Sequence, residues 1–130
     1  MHLIKIVLSS QHLWAYEGTT VVVSTDIATG RPDLPTPTGN FHVMSKSSPF
    51  LFISPWPKGN PNYYAPVWVS YAMPFAPGGY YIHDATWQTN WGPGANVRSG
   101  SHGCVNVPLS SMRALYGWAR VGDAVNVSAN

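Results

Sequence analysis

The apolar positions of this chain recur in short alternating runs rather than at helical spacing. "HLIKIVLS" (His2 to Ser9), "HLWAYEG" (His12 to Gly18) and "TTVVVSTD" (Thr19 to Asp26) are rich in β-branched and aromatic residues and predict three strands. Glu17-Gly18, between the last two, reads as a hairpin turn. "GRPDLPTPTGNFHV" (Gly30 to Val43) predicts a Pro- and Gly-rich loop opening into another strand, "NFHVMSK". No run with i, i+3, i+4 apolar spacing fits before Ser48.

From Ser48 to Gly79 the pattern changes. This stretch carries most of the prolines and several aromatics, with at least one strand expected inside it, "PVWVSYAM" (Pro66 to Met73). Prolines at this density exclude a helix and confine strands to edges. The expectation is a long Pro- and aromatic-rich lid inserted over a strand core. "GGYYIHD" then predicts a strand ending at His83. The one helix candidate is "LSSMRALYGWAR", Leu109 to Arg120. Ser110 or Ser111 would cap it, Met112, Leu115, Tyr116 and Ala119 would form its apolar face, and Arg120 would sit in its last turn. "GDAVNVS" predicts a final strand. The fold class expected is mainly β with one short C-terminal helix, as a single domain over residues 1–130.

Composition narrows the function classes. Charged residues are only 9% of the 130, against a usual ~25%, and the seven Lys and Arg are scattered. No basic stripe interleaves with aromatics, so a nucleic-acid partner is not expected. "MHLIKIVLSS" is too short and too interrupted by Lys5 for a signal-peptide core, and no run approaches the ~20 apolar residues of a membrane span. The expectation is a soluble chain with no membrane segment, acting as a monomer.

Chemistry concentrates around the single cysteine, in "SGSHGCVNV" (Ser99 to Val107). A thiol attacks as thiolate, and a neighbouring imidazole can take its proton to give a thiolate–imidazolium pair. Glycine at 103 permits a sharp turn, and the N–H groups of Gly103 and Cys104 could then face a developing oxyanion. A second histidine, His83, stands at a strand end, seventeen residues (Asp84 to Gly100) before Ser101, so the loop can bring it back to Cys104. Two other readings stay open: an inert core cysteine, and a zinc site built from His83, His102 and Cys104. His2, His12 and His42 carry no evident chemistry.

These residues resemble the signature of the L,D-transpeptidase catalytic domain, the YkuD-like family. That signature is a His, a spacer of this length, then Ser or Thr, His-Gly-Cys, an apolar residue and Arg or Asn. Here it reads His83, Ser101, His102, Gly103, Cys104, Val105 and Asn106. A Thr-Pro-x-Gly loop leading into an aromatic strand is matched by Thr36, Pro37, Thr38, Gly39, Asn40 and Phe41. The likeness covers nearly the whole chain. Two positions depart from many members: Asn106 stands where they carry Arg, and Asp84 where they carry Gly or Ser.

The resemblance implies a β-sandwich or barrel and a cysteine acyltransferase acting on peptidoglycan stem peptides. Cys104 would attack the carbonyl of the third stem residue, D-alanine would leave, and a diamino-acid side chain would take the acyl group in a 3→3 cross-link. Water as acceptor would make the enzyme a carboxypeptidase, and an inactive peptidoglycan-binding module is the rival from another class. Catalytic roles fall to Cys104 and His83, with His102 supporting the loop or sharing the base role. Gly103, Ser101 and Asp84 would form the oxyanion and support set. Tyr63, Tyr64, Tyr80, Trp87, Trp91 and Asn106 would line the groove. No cofactor and no metal are implied, and family likeness places the protein outside the cytoplasm, in the cell wall or periplasm, with carbapenems as inhibitors.

Overall fold

The computed structural model describes all 130 residues. The first three runs form strands β1 (His2–Val7), β2 (His12–Glu17) and β3 (Thr20–Asp26), joined antiparallel, with the expected turn at Gly18. Strand β4 (Gly39–His42) follows the proline loop. Further along come β5 (Phe50–Phe52), β6 (Val67–Val69), β7 (Ala72–Ala76), β8 (Tyr80–Asp84), helix α1 (Ala95–Ser99), β9 (Val105–Val107), helix α2 (Leu109–Trp118) and β10 (Ala124–Ser128).

Ten strands resolve into three sheets. The largest has the order β3-β2-β1-β10-β4, with β1 and β10 parallel, so both ends of the chain sit at its centre. A second sheet has the order β7-β8-β9, and β5 pairs with β6 alone. Alternation sends Ile4, Ile6, Leu13 and Ala15 of the large sheet inward, where they meet Phe75, Ile82, Val105 and Val107 of the three-stranded sheet. Met112 and Leu115 of α2 complete the core. Each fully buried side chain of this kind contributes about 1.5–3 kcal/mol. No helix is long and apolar enough to cross a membrane.

The fold departs from the sequence expectation at four places. A second helix exists: α1 is five residues long and opens on Gly94, which lies in the left-handed region. Residues 48–79 are not one lid over the core. They supply β5, β6 and β7, and β7 is an integral edge of the sheet that carries His83. Pro74 is tolerated there because β7 is an edge strand, with a register shift between Pro74 and Ala76. The expected strand "PVWVSYAM" is broken into β6 and β7 at Ser70–Tyr71, where the backbone turns to the carboxylate of Asp84.

Helix α2 also starts and stops differently. Its N-cap is Pro108, and neither Ser110 nor Ser111 caps it, because the helix begins directly after β9 with Leu109. Met112 and Leu115 are buried and Tyr116 partly so, while Ala119 packs from just beyond the last turn. Arg120 lies outside the helix and is exposed. The cation at the C-terminus is instead Lys46, whose Nζ donates to the Tyr116 carbonyl at 2.6 Å and the Ala119 carbonyl at 2.7 Å, and lies 4.3 Å from the centre of the Tyr116 ring. Free helix-end carbonyls attract such a charge. Lys46→Met is expected to lower unfolding free energy by about 2 kcal/mol, read as a fall in urea midpoint with an unchanged slope.

Candidate active site

Parallel pairing of β8 with β9 brings the two halves of the site together. His83 is the register partner of Asn106, so Cys104, two residues earlier, approaches the same end of the sheet. The seventeen-residue connection folds back through α1 and is held by Gln88, which donates to the Ser99 carbonyl at 2.7 Å and accepts from the Ser99 hydroxyl at 2.6 Å. His83, His102 and Cys104 all line one cavity of about 500 Å³.

The cysteine loop is sewn into the fold by its backbone. Ser101 N–H donates to the Thr29 carbonyl and its own carbonyl accepts from Arg31 N–H, at 2.9 and 3.0 Å. Gly103 has φ 121°, and a Cβ there would sit 2.6 Å from Cε1 of the Tyr80 ring. Only glycine fits this corner. The buried Thr36 hydroxyl accepts from Gly30 N–H at 3.0 Å and donates to the Gly103 carbonyl at 2.7 Å. That is the physical task of the Thr-Pro-x-Gly loop: it locks the turn preceding Cys104.

Of the two N–H groups expected to face an oxyanion, that of Gly103 is engaged within the loop. Gly103 N–H donates to the Ser101 hydroxyl at 3.1 Å, and that hydroxyl in turn donates to the Cys104 carbonyl. The Cys104 N–H has no acceptor in the protein. Ser101 is therefore a brace of the loop, and Gly103 supplies conformation rather than a free N–H.

His83 is buried, with its ring tilted against Phe52 at 4.7 Å and Trp87 at 6.0 Å. Its Nδ1–H donates to the Asp84 backbone carbonyl at 2.6 Å. This fixes the tautomer and leaves Nε2 as the basic nitrogen of a ring lining the cavity. The Asp84 carboxylate does not touch the imidazole. It accepts the Ser70 and Tyr71 N–H groups at 3.0 and 2.7 Å, which anchors the strand end whose carbonyl holds His83.

Burial acts on both reactive groups. Burial pushes the Cys104 thiol up to about 11, against a weaker opposing hydrogen bond from the Tyr81 backbone. Burial also holds His83 below its ordinary value, although the Asp84 carbonyl and charge oppose this. Burial thus disfavours the charged form of each group, thiolate and imidazolium alike. His102 is also held low, by burial first and the Arg31 guanidinium second. Its ring is flanked by Trp56 at 5.2 Å and Tyr64 at 5.4 Å, which ties the 53–66 loop to the cavity wall.

Of the expected groove residues, Tyr64, Trp87 and Asn106 line the cavity. Tyr63, Tyr80 and Trp91 do not: Tyr80 packs on Gly103 and the core, Tyr63 closes a turn onto Asn60, and Trp91 lies in the connection ahead of α1. Phe52, Val67 and Gln88 line it unforeseen, because their placement depends on pairing between distant segments. Asn106 is 3% exposed, and its Oδ1 has no hydrogen-bond partner. Such a group costs about 1–3 kcal/mol. No three His, Cys, Asp or Glu side chains converge closely enough to hold a metal ion.

Comparison with known proteins agrees with this geometry. The family model for the YkuD L,D-transpeptidase catalytic domain matches residues 1–127, and the chain belongs to that family. L,D-transpeptidase 1 of Mycobacterium tuberculosis is 34% identical over 101 residues, covering 75% of this chain and 39% of that protein. The chain thus spans about two-fifths of the length of this curated relative. Among solved structures, a Cys-to-Ser mutant of the Enterococcus faecium L,D-transpeptidase superposes with a TM-score of 0.89 at 35% identity, over 98% of this chain and 49% of that one. The catalytic domain of the E. faecium enzyme acylated by ertapenem gives 0.81 at 36% identity, over 98% and 96%.

Two outcomes test the site. Alkylation of Cys104 by iodoacetamide is expected to accelerate about tenfold per pH unit from 7 to 9 without a plateau, as the thiolate fraction grows. A rate already flat at pH 7 would mean a standing ion pair. Thr36→Val leaves the Gly30 N–H and Gly103 carbonyl unpaired, and urea unfolding should show a loss of about 2–3 kcal/mol.

Proposed function

We propose that the chain is a cysteine acyltransferase that cleaves the bond before the terminal D-alanine of a peptidoglycan tetrapeptide stem. The observation carrying this reading is a cysteine in the same cavity as a buried histidine whose Nδ1–H is locked onto the Asp84 carbonyl. Nε2 takes the proton from Sγ as sulfur attacks the carbonyl of the third stem residue. The attack and the proton transfer are coupled, since neither group ionises readily alone.

The oxyanion of the tetrahedral intermediate faces the unpaired Cys104 N–H, a type of contact worth roughly 3 kcal/mol elsewhere. As the C–N bond breaks, the His83 imidazolium gives its proton to the departing D-alanine amine, and a thioester remains on Cys104. The amine of a second stem's diamino acid attacks the thioester, His83 accepts the amine proton, and the sulfur recovers it on leaving. A 3→3 cross-link results. Water in place of the amine gives a tripeptide, and the site would then act as a carboxypeptidase. His102, clamped between Trp56 and Tyr64, supports the wall rather than acting as base. The substrate lies outside the cytoplasmic membrane, so the protein works there. A carbapenem carries a strained acyl group that the same sulfur would open, as ertapenem acylates the E. faecium domain.

Incubation with a disaccharide-tetrapeptide and mass analysis tests this: cross-linked dimer is expected, tripeptide alone would mean hydrolysis, and no product would refute the proposal. Cys104→Ala is expected to abolish turnover, and residual D-alanine exchange in that variant would mean another nucleophile. The reaction needs neutral His83, whose pKa is held below the ordinary imidazole value by burial. The kcat/KM profile should therefore stay level at neutral pH and fall only as pH drops through that lowered value. An acid limb centred above pH 7 would contradict this.

A further inference from the structure

A second concavity, of about 350 Å³, is lined by Pro49, Trp68, Val69, Ser70, Asp84 and Thr86. Its most unusual component is Trp68, which is 64% exposed on a strand of three residues. A broad indole left open beside a hollow is a plate without a partner.

The polar groups around it are equally unfilled. Asp84 is 2% exposed and forms no ion pair with any Lys, Arg or His. Its carboxylate accepts two backbone N–H groups, whereas a carboxylate offers about four acceptor sites. The Ser70 and Thr86 side chains make no hydrogen bond within the protein. One apolar plate, a buried acceptor and two rim hydroxyls match a ring with a C–H face and hydroxyl edges. An ammonium ligand would call for a cage of several aromatics, and only one is present.

Position links this hollow to the chemistry. Val67 lines the catalytic cavity and Trp68 the second hollow, and likewise His83 and Trp87 line the first while Asp84 and Thr86 line the second. Successive strand residues face opposite sides, so the two concavities lie on the two faces of the short segments they share. We propose that Trp68, with Asp84, Ser70 and Thr86, binds a sugar ring of the N-acetylated glycan that carries the stem peptides. The assignment rests on the peptidoglycan reading above and extends it from the peptide to the saccharide.

Titration of the ¹⁵N-labelled protein with a tetramer of N-acetylglucosamine tests it. Shifts are expected at the Trp68 indole N–H and the Ser70 and Thr86 amides, and Trp68→Ala should weaken binding by about fivefold to tenfold. The same variant should process a sugar-free tetrapeptide like the parent and lose efficiency only on the disaccharide-tetrapeptide. Absent shifts, shifts untouched by Trp68→Ala, or equal shifts with butylammonium would overturn the platform. Turnover of the sugar-free tetrapeptide without sugar shifts would remove this inference alone. Sugar shifts at Trp68 without turnover of either substrate would keep the platform and remove the transferase reading.

Discussion

One hydrogen bond organises the site: the Nδ1–H of His83 to the carbonyl of its own neighbour, Asp84. A backbone acceptor one residue away orients an imidazole only if the Asp84–Ala85 peptide plane, which carries that acceptor, cannot rotate. Here it cannot, because the Asp84 carboxylate is bound to two successive N–H groups of the Ser70–Tyr71 corner and the strand is paired to Val107 of β9. A charged side chain thus stabilises a backbone geometry, and the backbone sets the tautomer. Asp84 acts through its carbonyl and its anchoring, without a hydrogen bond from its carboxylate to the ring.

The sulfur is treated in the same manner. Thr36, Gly30 and Ser101 hold a turn that only glycine at 103 can make, and the turn delivers Cys104 with its N–H free. Low solvation disfavours the charged forms of both thiol and imidazole. The same low solvation strengthens any charge contact made during the reaction. A resting thiol is also less exposed to adventitious oxidation than a standing thiolate.

Much of this was legible in the sequence, and the misses share a cause. Alternation in "HLIKIVLS" and "HLWAYEG" gave the central strands, because one face of the sheet is buried. The spacing of His83 from Cys104 and the Thr-Pro-x-Gly loop pointed to the cavity. Helix α1 escaped because five residues between glycines are too few to establish a period. The break at Ser70 escaped because its acceptor, Asp84, is fourteen residues away. Gly103 looked like an oxyanion donor because spacing says nothing about a hydroxyl folding back on its N–H. The aromatic clamp on His102 likewise joins residues that only the tertiary fold brings together.

The most direct test is the ¹⁵N and ¹H spectrum of the His83 ring at pH 7. A neutral ring protonated on Nδ1 is expected, with Nε2 bare and the Nδ1 proton shielded from exchange. A doubly protonated ring at that pH, or a proton on Nε2 with Nδ1 bare, would contradict it.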